Sequence, residues 1–144
     1  MRKINTKYLN KVYETKKFKL TVDKVVKEIR KIHKKTKINA IAFTGSSGAA
    51  LAYPVSYITG IPLLCVRKST KDNHYHNKLE GYVNPKNYVI IDDIIATGRT
   101  VKSIRKAIAK ESPKSKLLNV VLYNQLGAGG FNKYFDANII CTPC

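Results

Sequence analysis

The sequence predicts an α/β domain built on a mostly parallel, twisted sheet of about five strands flanked by helices. Three observations carry that expectation. Short apolar runs alternate along the chain with segments whose apolar residues recur at helical spacing. One run, Val89-Ile90-Ile91, is β-branched throughout and ends in Asp92-Asp93, as a strand covered on both faces does. Glycine-bearing turns at Gly45-Ser46-Ser47-Gly48, Gly60 and Gly98 punctuate the junctions between runs and helical segments.

The elements follow in order. Residues 5–15, with Tyr8, Leu9, Val12 and Tyr13, are expected to form a short helix. Thr21 can cap a second helix whose second turn begins near Val25. There Val22, Val25, Val26, Ile29 and Ile32 make one apolar stripe with lysines on the other face. Asn39 to Thr44 reads as the first core strand, Gly45 to Gly48 as a turn, and Ala49 to Thr59 as a helix in which Pro54 is an irregularity and which Gly60 ends. Ile61 to Val66 is the second strand. Residues 67–82 are polar, irregular and too long for a plain connector, which marks a mobile functional loop. Tyr88 to Ile91 is the third strand. Thr100 to Lys110 is a helix that turns Val101, Ile104 and Ile108 inward. Leu117 to Tyr123 is the fourth strand, Gly127, Gly129 and Gly130 mark a loop, and Ala137 to Cys141 is the fifth strand.

Composition bounds the function. A chain of 144 residues with 44% hydrophobic residues makes one domain with one core. It has no run of 18 apolar residues for a transmembrane helix, and its N-terminus is too basic and interrupted for a signal peptide. Cys65, Cys141 and Cys144 form no disulfide framework, which points to a reducing cytoplasm. Cys141 and Cys144 have redox-motif spacing but no following helix. The net charge of +18 calls for an anionic ligand, nucleic acid or an acidic partner. Residues 1–40 hold 14 Lys or Arg and 3 acids, so +11 lies there; a solvated lysine-rich face is the plainer reading of that segment, and nucleic-acid binding the sharper one.

The chemistry concentrates at residues 89–100. Open α/β sheets bind ligands beyond the carboxyl ends of their strands, where Asp92 and Asp93 fall. Thr97-Gly98-Arg99-Thr100 sets backbone N–H groups and hydroxyls at a helix N-terminus, a phosphate site. Carboxylates for sugar hydroxyls beside a phosphate nest describe a site for a phosphorylated sugar. A dinucleotide-binding domain is the rival, but Thr44-Gly45-Ser46-Ser47-Gly48 lacks the Gly-x-Gly-x-x-Gly pattern. A P-loop is excluded because no Gly-Lys-Ser/Thr occurs.

Asp92-Asp93-Ile94-Ile95-Ala96-Thr97-Gly98-Arg99-Thr100 resembles the signature of the type I phosphoribosyltransferases. The resemblance implies that Asp92 and Asp93 hold the ribose hydroxyls of phosphoribosyl pyrophosphate (PRPP). It implies that Ala96, Thr97, Gly98, Arg99 and Thr100 hold its 5′-phosphate. Gly45, Ser46 and Ser47 are similar to the family's pyrophosphate loop. Arg67-Lys68-Ser69-Thr70-Lys71-Asp72-Asn73-His74 resembles the closing loop of orotate phosphoribosyltransferases. By that likeness Arg67, Lys68 and His74, or His76 in its place, bind pyrophosphate, and Lys71 is the loop catalyst. Mg²⁺ would be held at Asp92 and Asp93, directly or through water.

Three departures sharpen the reading. Ser47 stands where orotate and adenine enzymes often carry Lys or Arg. Arg99 stands where many relatives have Gly. Ala96 replaces the Asp common in hypoxanthine-guanine enzymes and fits adenine-like and orotate-like members alike; the segment 67–74 makes the likeness orotate-like more than purine-like. The domain organisation expected is a basic helical segment over 1–36, which could supply a small hood, and a phosphoribosyltransferase core over 37–144. The function implied is transfer of phosphoribose from PRPP to a nucleobase, by a cytoplasmic homodimer. The alternative is a PRPP-binding regulator that meets nucleic acid through the basic N-terminal segment.

Overall fold

A computed structural model of the protein describes residues 9–68, 78–95, 97–126 and 138–142. Along the chain run α1 (Asn10–Tyr13), α2 (Thr15–Lys35), β1 (Ala40–Phe43), α3 (Gly45–Thr59), β2 (Leu63–Val66), β3 (Leu79–Gly81), β4 (Asn87–Ile95), α4 (Arg99–Glu111), β5 (Lys116–Leu126) and β6 (Asn138–Cys141). The strands form one sheet in the order β3-β2-β1-β4-β5-β6. All neighbours are parallel except β3, which runs antiparallel to β2.

The sheet is buried on both faces, which is why its strands read as continuous apolar runs. Alternate residues serve opposite layers. Ile41, Phe43, Val89, Ile91, Val121 and Tyr123 meet α2 and α3 on one face. Ala42, Leu64, Tyr88, Ile90, Val120 and Leu122 meet Val101, Ile104 and Ile108 of α4 on the other.

Helix α2 lies on the sheet through Val22, Val25, Val26 and Ile29, all buried. At roughly 1.5–3 kcal/mol for each fully buried aliphatic side chain, this stripe outweighs the weak start of the helix. That start is not at Thr21. The helix begins at Thr15 after an uncapped Glu14, and the Thr21 hydroxyl instead donates to the Lys17 carbonyl at 2.7 Å. A threonine inside a helix satisfies itself in this way, so its capping chemistry gave the wrong boundary. At the other end, His33 Nδ1 accepts the Ile38 N–H at 3.1 Å and turns the chain into β1.

Further boundaries differ from expectation, among them β5, which runs on to Leu126, and β2, which starts at Leu63. Gly45 to Ser47 are the first turn of α3, not a loop before it, and the helix runs on through Pro54. A sixth strand, β3, occupies part of the segment read as irregular. Strand β4 extends to Ile95, so both acids lie within it. Gly60 ends α3 as expected, in a left-handed conformation at φ 72°.

Candidate active site

Strands β1 and β4 are neighbours, paired through Ile41 and Val89. The chain leaves β1 through α3 over one face and leaves β4 through α4 over the other. Connections that diverge in this way open a crevice at the carboxyl ends of the two strands. A cavity of about 430 Å³ lies there, within the range of small-molecule sites. Thr44, Ser47, Lys68, Asp92, Asp93 and the Thr97–Val101 turn contribute to its wall.

Two helix N-termini bound this cavity. Thr44 precedes α3 in extended conformation, but its buried hydroxyl donates to the Val66 carbonyl at 2.5 Å and caps nothing. Helix α4 is preceded by Gly98 at φ 76°, which has no side chain to cap with. Both first turns therefore keep their backbone N–H groups without a side-chain cap, and both carry the positive end of a helix dipole. Such ends bind phosphate. Thr97 Oγ1 accepts only a long bond from the Arg99 N–H, 3.4 Å. Lys68 adds a full charge at the α3 end. Its Nζ lies 3.1 Å from where a Cβ on Gly45 would stand, and Gly45 adopts φ 64°. A side chain there would meet both strain and the ammonium group.

The acids line the same cavity as Ser47 of the first turn of α3 and the first turn of α4. Asp92 is 5% exposed. Its Oδ1 accepts the Asp93 N–H at 2.9 Å and the Ser47 hydroxyl at 3.4 Å. Burial, followed by the side-chain hydrogen bond with Asp93, pushes the Asp92 carboxyl up to about 7; the Asp93 N–H and Ser47 pull the other way. Register shifts between β4 and β5 from Asp92 to Ile94, where β5 inserts an extra residue beside the acids.

Tyr123 completes the frame. Its hydroxyl donates to the Ser47 carbonyl at 2.6 Å and ties the first turn of α3 to β5. Burial, then the charges of Asp93 and Asp92, raise the Tyr123 pKa, so the phenol stays a donor. Sequence reasoning missed Tyr123 as a site residue. Its signal was period-two spacing from Val121 on the face that carries α3.

The expected site residues divide as follows. Asp92, Asp93, Ser47, Lys68, Thr97, Gly98, Arg99 and Thr100 converge on one cavity. Gly45 and Ser46 belong to the same first turn as Ser47 without lining the wall. Arg67 is turned aside: its guanidinium pairs with Glu80 of β3, Nε to Oε2 at 2.9 Å with Nη2 on the same oxygen. Lys71, His74, His76 and Ala96 lie outside the described residues. Leu9, Ile94, Ile95 and Val101 supply apolar wall that the sequence did not single out.

The donor set suits a hard divalent cation. Among the described residues no cluster of three or more His, Cys, Asp or Glu could cage a metal alone. Two adjacent carboxylates in a cavity that also holds two helix N-termini match the habit of Mg²⁺, which takes one or two carboxylates and completes its shell with phosphate oxygens and water.

Known proteins resemble this chain in sequence and in fold. A family model described as PRTase-CE matches residues 1–140. The chain is 28% identical over 108 residues to an orotate phosphoribosyltransferase of Methanosarcina mazei, a match covering 74% of this chain and 58% of that protein. It is 34% identical over 91 residues to a transcriptional regulator of Picrophilus torridus, covering 60% of this chain and 46% of the regulator. The chain thus spans about half the length of these relatives. Among solved structures, the orotate phosphoribosyltransferase of Aeropyrum pernix superposes with a TM-score of 0.70 at 12% identity, covering 96% of this chain and 77% of that one.

Proposed function

Because this chain belongs to the PRTase-CE family, we propose that it transfers phosphoribose from PRPP to a nucleobase, releasing pyrophosphate. One observation carries the reading: two carboxylates share a single cavity at the β1/β4 crevice with the N-terminal turns of α3 and α4. That array complements a sugar bearing a phosphate at each end.

In this reading the α4 turn, Thr97 to Thr100, holds the 5′-phosphate with backbone N–H groups and hydroxyls. Asp92 and Asp93 accept hydrogen bonds from the two ribose hydroxyls and fix the ring. The first turn of α3, Gly45 to Ser47, holds the pyrophosphate, and Lys68 beside Gly45 supplies the cation that Ser47 lacks. The C1′–oxygen bond to pyrophosphate breaks as the base nitrogen bonds to C1′. Charge develops positive at C1′ and negative on the leaving oxygens. The carboxylates lie near the first, and the α3 dipole with Lys68 near the second, so the protein works by positioning and preorganised electrostatics. Mg²⁺ bound at Asp92 and Asp93 would supply charge neutralisation of the pyrophosphate.

The base is read as orotate-like more than purine-like. The sequence likeness of residues 67–74 and the Methanosarcina mazei relative support this. A homodimer is part of the reading, on the loop exchange that the family resemblance implies, and light scattering checks it. The test is pyrophosphate release from PRPP and Mg²⁺ with each nucleobase in turn. Release with orotate supports the assignment, release only with a purine moves it, and no release with any base removes the transferase reading.

A further inference from the structure

Helix α2 is the most basic helix described. Its sequence holds nine Lys or Arg against two acids. Over 21 residues the helix is about 30 Å long. The buried stripe of Val22, Val25, Val26 and Ile29 faces the sheet, so the cations are gathered on the opposite side. Lys31 pairs with Glu28 at 2.9 Å, whereas among the described residues Lys27, Arg30 and Lys34 form no ion pair. They succeed one another at intervals of three and four, a continuous row on one helix face.

This row borders a groove. A cavity of about 450 Å³ is lined by Val26, Lys27, Arg30, Lys31 and Lys34 of α2 and by Ile58 of α3, with Asp23 at one end. Next to Ile58, Tyr57 is 91% exposed, and Ile58 itself is 44% exposed. Both sit in the last turn of α3, at the end that leads into β2, whereas the candidate active site lies at the start of that helix. The groove and the catalytic cavity are thus at opposite ends of α3 and share no wall residue.

We propose that the α2–α3 groove binds single-stranded nucleic acid, its lysines and Arg30 tracking phosphates while Tyr57 stacks on a base. Charge complementarity selects a polyanion. An exposed ring one residue along α3 from the wall residue Ile58, on the helix that closes the groove against the α2 cations, selects a strand whose bases are unstacked and open. The predominance of lysine, a point charge without a fixed fork, predicts binding that ignores sequence.

The test is fluorescence anisotropy of a labelled twelve-nucleotide oligothymidine between 50 and 200 mM salt, with no PRPP present. Wild-type protein should bind with a log–log salt slope of about −3, the value for roughly four phosphate contacts to a single strand. The triple variant K27Q/R30Q/K34Q should lose about two units of that slope. A control, K106Q/K110Q/K114Q, makes the same change in net charge on and just after α4 and should keep the slope. Tyr57→Ala should weaken binding roughly fivefold to a hundredfold while leaving the slope unchanged. Circular dichroism confirms that each variant is folded, and the surface Tyr57→Ala change reads the groove without touching a charge. Absence of binding at 50 mM salt overturns the proposal, as does equal loss in the α4 control. Duplex bound as tightly as the single strand, with Tyr57→Ala silent, also overturns it. So does binding to phosphatidylserine vesicles without binding to the oligonucleotide.

Discussion

Replacing Asp92 with Asn should stabilise the protein above neutral pH. The carboxyl is almost fully buried in β4, and burial is the largest cause of its rise from an ordinary 3.8 to about 7. Between those two values the folded chain holds a proton that the unfolded chain has lost. Stability is therefore fully present below pH 4, falls as pH rises toward 7, and is level above it. A shift of this size corresponds to about 4 kcal/mol as a ceiling. Asparagine keeps an oxygen to accept the Asp93 N–H and does not titrate, so the variant lacks this slope. Urea unfolding at matched ionic strength is the assay. The stability gap in favour of Asp92→Asn should widen by about 2 kcal/mol from pH 5 to pH 8. Parallel pH profiles of the two proteins would refute the reasoning, because they would mean that Asp92 is not a strained, desolvated acid in the folded state. Carboxylates perturbed in this way cluster at functional sites.

The other predictions concern the frame of the site. Asp93→Asn should leave the thermal unfolding midpoint nearly unchanged and reduce pyrophosphate release by orders of magnitude; unchanged turnover would remove the ribose-binding role. Tyr123→Phe deletes the bond to the Ser47 carbonyl and should cost about 1 kcal/mol in urea unfolding and weaken PRPP binding in calorimetry, with no change in binding counting against its tie to α3. Gly45→Ala places a Cβ at φ 64° against Lys68 and should cost about 1–2 kcal/mol of stability along with PRPP affinity, measured by the same two methods. Gly81→Ala would set a Cβ 2.3 Å from the Leu63 carbonyl oxygen at φ 102°, and should destabilise by about 2 kcal/mol or more; a silent substitution would show that β3 does not pair with β2 as described.

What the sequence made legible follows from where its signals are local. Strand β4 and its acids were readable because a β-branched run covered on both faces needs no partner to be recognised. The α4 turn was readable because Gly98 and its neighbours carry their own conformational preference. Strand β3 was not readable: Leu79-Glu80-Gly81 has no alternation, and it exists through its pairing with Leu64, Cys65 and Val66. The start of α2 was misplaced because the residue before it makes no side-chain cap, while Thr21 carries capping chemistry that it spends inside the helix. Arg67 shows the same limit at the site. The family resemblance of residues 67–74 suggested a pyrophosphate contact for it, and its ion pair with Glu80 could not be foreseen because β3 is brought near only by the folded chain. Tyr123 acts on Ser47 across 76 residues of sequence, a distance over which no spacing rule operates.

In the proposed function one cavity binds PRPP through Asp92, Asp93 and the N-terminal turns of α3 and α4. Calorimetric titration of PRPP with Mg²⁺ into the wild-type protein and into the double variant D92N/D93N tests it most directly. The wild type should show one site per chain, and the double variant should lose binding while it is folded and no less stable at pH 8. Equal binding by the two proteins, or none by the wild type, would contradict it.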